Sequence, residues 1–88
     1  MTAIALPVRL TIADAKATLE RLVPALAAAG DAVIDASPLK EMDTSAVAVL
    51  LDCQRQAQAA GRPLRIVGAP AKLVDLAKLY GVDSLLAI

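Results

Sequence analysis

The spacing of apolar positions changes several times along the chain. Residues 3–6 form a short apolar run stopped by Pro7. This predicts an edge strand, where a missing N–H removes no ladder hydrogen bond. Ile12, Ala15, Leu19, Leu22, Val23 and Leu26 then fall at helical spacing. Thr11 is the natural N-cap of that helix, with Asp14 three residues on, close to a capping box. Pro24 conflicts with one straight helix. It has no N–H and meets the carbonyl of Glu20, at a cost of about 3 kcal/mol. The pattern predicts a kink or break over residues 20–24, a helical continuation to Ala29, and a left-handed stop at Gly30.

Residues 31–36 read as the central strand. Val33, Ile34 and Ala36 are apolar, and Asp35 lies near the carboxyl end, where open α/β sheets build their sites. Helices on both sides in sequence predict right-handed crossovers and parallel pairing. A long helix from about residue 44 to 60 opens at Asp43-Thr44-Ser45 and closes at Gly61. A strand follows over residues 64–67. Gly68-Ala69 turns the chain, and Pro70 suits a first helical position. Leu73, Leu76, Ala77 and Tyr80 make the buried stripe of the last helix. Gly81 ends it, and residues 82–88 are expected to return as a short strand. The fold class is a single α/β domain over residues 1–88, with a mixed sheet of about four strands and helices mostly on one face.

On a helical wheel of residues 44–60, Ala46, Leu50, Cys53 and Ala57 form the centre of the apolar face. Val49 lies on one flank and Val47 and Leu51 on the other. The apolar arc spans roughly 200°, wider than the ~100° that one buried face requires. The excess borders Thr44, Ala48 and Arg55. A docking seam for a partner is therefore expected at Thr44, Val47, Ala48, Leu51 and Arg55. Asp35, Asp43 and Ser45 are its supporting polar residues. Residue chemistry alone leaves Thr44 as a helix cap, a feature that stabilises by about 1 kcal/mol, or as a functional hydroxyl. Asp35 and Asp43 can approach it, or serve in turns and caps.

Composition narrows the function. The chain is 58% hydrophobic with Tyr80 as its one aromatic residue, so Leu, Val, Ile and Ala must make the core. Nine basic and nine acidic residues cancel. Phosphate neutralisation needs a basic face, and base stacking needs aromatic platforms, so nucleic acid is not an expected partner. There is no histidine and a single cysteine, which excludes metal-ligand sets built on His and Cys and triads that use histidine as the base. No metal, cofactor or catalysis is expected. Cys53 has no intrachain disulfide partner and reads as core. Asp52 and Arg55 read as a solvated face, and Lys72, Asp75 and Lys78 as exposed helix charges. No targeting segment is visible, and no uncharged apolar run approaches the ~18 residues of a membrane helix. A soluble, cytoplasmic chain without direct membrane insertion is the expectation.

The segments Val33-Ile34-Asp35-Ala36-Ser37 and Met42-Asp43-Thr44-Ser45-Ala46-Val47-Ala48-Val49-Leu50-Leu51 together resemble the STAS domain, found in bacterial anti-sigma factor antagonists and in some transporter subunits. The likeness continues through Ala59-Ala60-Gly61, Leu64-Arg65-Ile66-Val67 and Leu76-Ala77-Lys78-Leu79-Tyr80-Gly81. The Leu-Ala-Lys-Leu-Tyr segment leans toward the STAS subunit of the Mla-type phospholipid ABC transporter, Mla standing for maintenance of lipid asymmetry. Several STAS domains begin with a longer hairpin, and this chain looks trimmed there.

The resemblance implies a non-enzymatic subunit that binds and regulates or stabilises a cytoplasmic ATPase, with Thr44 at the contact. Such a subunit would sit at the inner membrane only through its partner. In the antagonists the hydroxyl at this position is phosphorylated by an anti-sigma factor kinase, which makes Thr44 the candidate phosphorylation site of an alternative phospho-switch. Antagonists usually carry Ser here, followed by Ser or Ala and then Gly, whereas this chain has Thr44-Ser45-Ala46. Pairing of two copies through an exposed apolar edge remains open. Asp43-Thr44-Ser45 superficially resembles the Asp-Ser-Leu of acyl carrier proteins. Thr at the Ser position, balanced charge and alternating strands argue against a carrier.

Overall fold

The computed structural model describes residues 3–28 and 32–88. Five short strands and four helices alternate: β1 (Ile4–Ala5), β2 (Arg9–Leu10), α1 (Ala15–Ala28), β3 (Val33–Asp35), β4 (Glu41–Met42), α2 (Thr44–Ala59), β5 (Arg65–Val67), α3 (Ala71–Leu79) and α4 (Asp83–Leu86). β1, β3 and β5 form one sheet with β3 central, and β2 and β4 form a second. Every described strand pair is parallel, so the α/β class holds while the mixed pairing expected from the sequence does not. The crossover helices explain the difference, because each strand re-enters in the direction of the one before it.

The two sheets are successive stretches of one strand pairing. β1 lies beside β3 in register Ile4 to Ile34, and β2 lies beside β4 in register Leu10 to Met42. Between them Leu6 N–H donates to the Asp35 carbonyl, and the N–H groups of Lys40 and Glu41 both donate to the Val8 carbonyl. Pro7 has no N–H to continue the ladder, and residues 36–40 loop out opposite it. β1 is the edge predicted from that proline.

Burial follows the residue types closely. Val33 and Ile34 point to opposite faces of β3 and both are buried, so neither face of the central strand is open. Leu22 and Leu26 of α1, Ala46, Leu50, Cys53 and Ala57 of α2, Leu73 and Ala77 of α3 and Leu86 of α4 share one core with Ile34. α2 packs against each of the other three helices. Cys53 is free and buried, and burial, with the nearby Asp52 charge second, pushes its thiol pKa up to about 11. It is a small core hydrophobe, as expected.

Four expectations need correction. α1 runs unbroken through Pro24, so the predicted break is absent. Leu22 and Leu26 on either side are buried, and each contributes about 1.5–3 kcal/mol by burial, enough to offset the proline. The continuation to Ala29 and the stop at Gly30 lie outside the described residues. The Thr11 hydroxyl does not cap the helix: the Asp14 N–H donates to the Thr11 backbone carbonyl (2.9 Å) instead. The Asp14 carboxylate in turn accepts from the Thr11 N–H (3.1 Å) and hydroxyl (3.0 Å), and the helix starts after it. Tyr80 is 55% exposed rather than a core anchor. Residues 83–86 form α4, not a strand. Gly81, at φ +68, closes α3: its N–H donates to Lys78 and that of Val82 to Ala77. This is a Schellman stop, and it turns the chain back so that Leu86 is buried. An apolar run this short carries no period that separates strand from helix.

Val49 and Gln58 lie on opposite sides of α2, one buried and one exposed. Val49→Asp would bury an unpaired carboxylate, which typically costs several kcal/mol. At roughly 4–8 °C per kcal/mol for a domain of this size, thermal melts should show it unfolded or more than ~12 °C less stable. Gln58→Asp should melt like the wild type.

Candidate docking site at the start of helix α2

α2 begins where the chain leaves β4, and Asp43 is the joint. Its backbone is extended (φ −129°, ψ −166°), and its Oδ1 accepts from the Ser45 N–H at 2.8 Å. That is an N-cap, which satisfies one of the free N–H groups at a helix start. Its Oδ2 accepts from the N–H of Ile12 at 3.0 Å, 31 residues earlier in the chain. The Ile12 N–H first, and the Ser45 N–H next, hold the Asp43 carboxyl below its ordinary pKa. The cap is therefore Asp43 and not Thr44. Thr44 is the first helical residue, it is exposed, and its hydroxyl makes no hydrogen bond among the described residues.

The other predicted seam residues divide. Ala48 and Arg55 are exposed and Leu51 is half-buried, so with Thr44 they do line one edge of α2. Val47 is only 4% exposed and belongs to the core, so it is not available to a partner. The 200° arc is explained by what covers it: with α1, α3 and α4 all packed on α2, the helix buries more than one face. Arg55 pairs with Asp52 one turn back, as a surface ion pair of small energetic weight. A shallow groove of about 400 Å³ opens along this edge between Ala48, Leu51, Asp52, Arg55, Gln58 and Leu85.

Of the supporting polar residues, Ser45 is buried against the cap. Asp35 is not joined to Thr44. Its Oδ1 accepts from the Ser37 N–H at 3.0 Å in a local turn, and that N–H, with the Ser37 hydroxyl second, lowers its pKa. Gly68, at φ +68, lies against this turn, where an added Cβ would be 3.0 Å from Ser37 Cβ and 3.1 Å from Asp35 Oδ1. Asp35 thus shapes the turn that leaves β3, while the Ala36 N–H donates to the Val67 carbonyl to join the ends of β3 and β5. Among the described residues no group of three or more His, Cys, Asp and Glu is placed to hold a metal ion.

A family model described as "Mlab, STAS domain" matches residues 2–87. The chain belongs to the STAS domain family. STAS domains are generally binding modules without catalysis of their own, and a surface built around an exposed helix start fits that class. A search of the curated proteins returns no match. In this STAS domain no helix among the described residues is long and apolar enough to cross a membrane.

Two residues of this region escape a reading of the sequence. Ile12, counted there as part of an amphipathic helix, is 77% exposed on the turn before α1. Gln54 is 9% exposed. Its Oε1 accepts from the Leu64 N–H at 2.8 Å and its Nε2 donates to the Leu85 carbonyl at 3.0 Å, fixing β5 and α4 to α2. The available signal was a polar residue inside the apolar arc, between Leu50 and Ala57.

The turn before α1 should titrate. Arg9 grips Asp14 through two bonds of 3.0 Å, and this contact, with the Thr11 N–H second, lowers the Asp14 pKa to about 2. A depressed carboxylate stabilises the fold above its unfolded pKa near ~4 and loses that contribution as pH falls through its folded value. Melting temperature should drop between pH 4 and pH 2, and Asp14→Asn should make that drop shallower. Parallel profiles for the two proteins would remove Asp14 from the account.

Proposed function

We propose that this STAS domain is a non-enzymatic subunit that binds the cytoplasmic ATPase of an Mla-type phospholipid ABC transporter and regulates or stabilises it. The observation that carries the proposal is Thr44: a hydroxyl at the first turn of the central helix, exposed and spared from capping because Asp43 caps in its place. Ala48, Leu51 and Arg55 extend the surface along the same edge. The description of the matching family model supports the transporter branch. A regulator of this kind acts by binding one ATPase conformation better than another, and the nucleotide chemistry belongs to the partner.

The same exposed hydroxyl also fits the anti-sigma factor antagonist reading, in which a kinase would phosphorylate Thr44. A phosphate there would meet the free N–H groups of a helix start, which favour anions, but also the adjacent carboxylate of Asp43, which opposes them. Mass spectrometry of the natively expressed protein should find Thr44 mostly unmodified. Abundant phospho-Thr44 favours the antagonist.

Thr44→Glu tests the docking site. A carboxylate in the first turn favours the helix dipole by about 0.3–1 kcal/mol, and Thr44 caps nothing, so the isolated domain should melt as the wild type does. At a packed interface the same charge is desolvated without a partner, which typically costs several kcal/mol, and each 1.4 kcal/mol is tenfold in affinity. Pull-down of a co-expressed Mla-type ATPase should be lost. Leu51→Ala should weaken it less, because it removes only apolar area. A Thr44→Glu protein that melts normally and still captures the ATPase would contradict the assignment.

A further inference from the structure

Apart from the groove along the seam, the described residues shape a second hollow, of about 210 Å³, between the later turns of α1 and α2. It lies on the side of α2 opposite the seam, since Cys53 and Ala57 line it while Leu51 and Arg55 line the groove. Leu26, Ala32, Cys53 and Ala57 are buried and form its floor. Ala27, Gln56 and Ala60 also line it but are exposed, which sets its mouth at the surface. Four of these residues are alanines, whose methyl groups leave space that a leucine would fill. Arg62 lines the hollow as well. It donates through Nη2 to the Ala27 carbonyl at 3.1 Å and so ties the end of α2 to α1 beside it.

We infer that this hollow is a binding site for the alkyl chain of a free, short-chain amphiphile. The site is separate from the docking edge and does not rest on the transporter reading. Three observations lead there. The first is size: a cavity of about 150 Å³ with apolar walls holds benzene, and in proportion this one holds about eight carbons. The second is the polarity of the floor. Among the described residues no buried side-chain nitrogen or oxygen lacks a partner. Burial first, and the Asp52 charge second, push the Cys53 pKa up to about 11, so its thiol stays neutral. A polar or charged group placed there would lose its water without compensation. The third is that no aromatic ring lines the walls. A ring-shaped ligand finds no ring to pack against, whereas a slim chain needs only aliphatic contact. The polar end of the amphiphile belongs in water at the mouth, beside Gln56.

The experiment titrates the purified chain with butanol, hexanol, octanol and dodecanol and follows its backbone amides by NMR. Octanol should bind saturably, with shifts concentrated in residues 23–27 and 53–60. Affinity should rise about fourfold per added carbon, the gain from burying one methylene, and level off at about eight carbons. Ala27→Leu and Ala57→Leu fill the hollow from its two walls, and each should weaken octanol binding roughly tenfold or more. Ala27 is exposed, so its variant should melt like the wild type. It decides the matter alone if overpacking unfolds Ala57→Leu.

Shifts that never saturate, shifts centred on the groove, or affinity still rising from octanol to dodecanol would mean adsorption to open apolar surface and would overturn the site. Unchanged octanol binding by Ala27→Leu would do the same. Benzene binding more tightly than octanol would overturn the alkyl assignment. Phosphatidylcholine vesicles should leave the same amides unshifted, and vesicle-induced shifts there would overturn the free amphiphile as the source of the chain.

Discussion

One carboxylate joins two N–H groups that lie 33 residues apart in the chain, and the candidate site is arranged around it. Asp43 accepts from Ser45 through one oxygen and from Ile12 through the other. The first bond starts the central helix, and the second fixes the turn before α1 against that start. The cap removes one unpaired N–H from a helix that cannot satisfy its first turn internally. Because Asp43 fills the capping role, the next residue is released from it, and Thr44 is left as an exposed hydroxyl at the most polarised end of the helix.

The rest of the domain supplies rigidity from unpromising material. With one aromatic residue in 88, the core depends on many small aliphatic contacts, and α2 must serve three helices at once. Gln54 completes this by satisfying two backbone groups on two other elements from a buried position. A buried amide is tolerable only when so partnered. Its donation to Leu85 also holds α4 at the rim of the groove along the seam.

The parts of this structure that follow simple periods were legible in the chain: the apolar β3, the face of α2 built on Ala46, Leu50, Cys53 and Ala57, and the glycine that ends each of α2 and α3. The parts decided by distant partners were not. Pro24 stays helical because Leu22 and Leu26 are buried, a tertiary gain that local geometry does not announce. Val47 looked spare only while α2 was given a single partner face. Thr44 and Asp43 could not be ranked as caps from adjacent residue types, since both are good ones. The deciding bond to Ile12 spans 31 residues. Ile12 itself matched the helical period by coincidence of spacing, and only the structure separates it from α1.

The central claim is the proposal that a partner docks on the exposed edge at the start of α2. Amide hydrogen exchange of the chain, free and mixed with a purified Mla-type ATPase, tests this most directly. Slowed exchange should concentrate in residues 43–48, with α3 unchanged. Slowed exchange confined to α3 and α4, with the α2 start exchanging as in the free protein, would contradict the account.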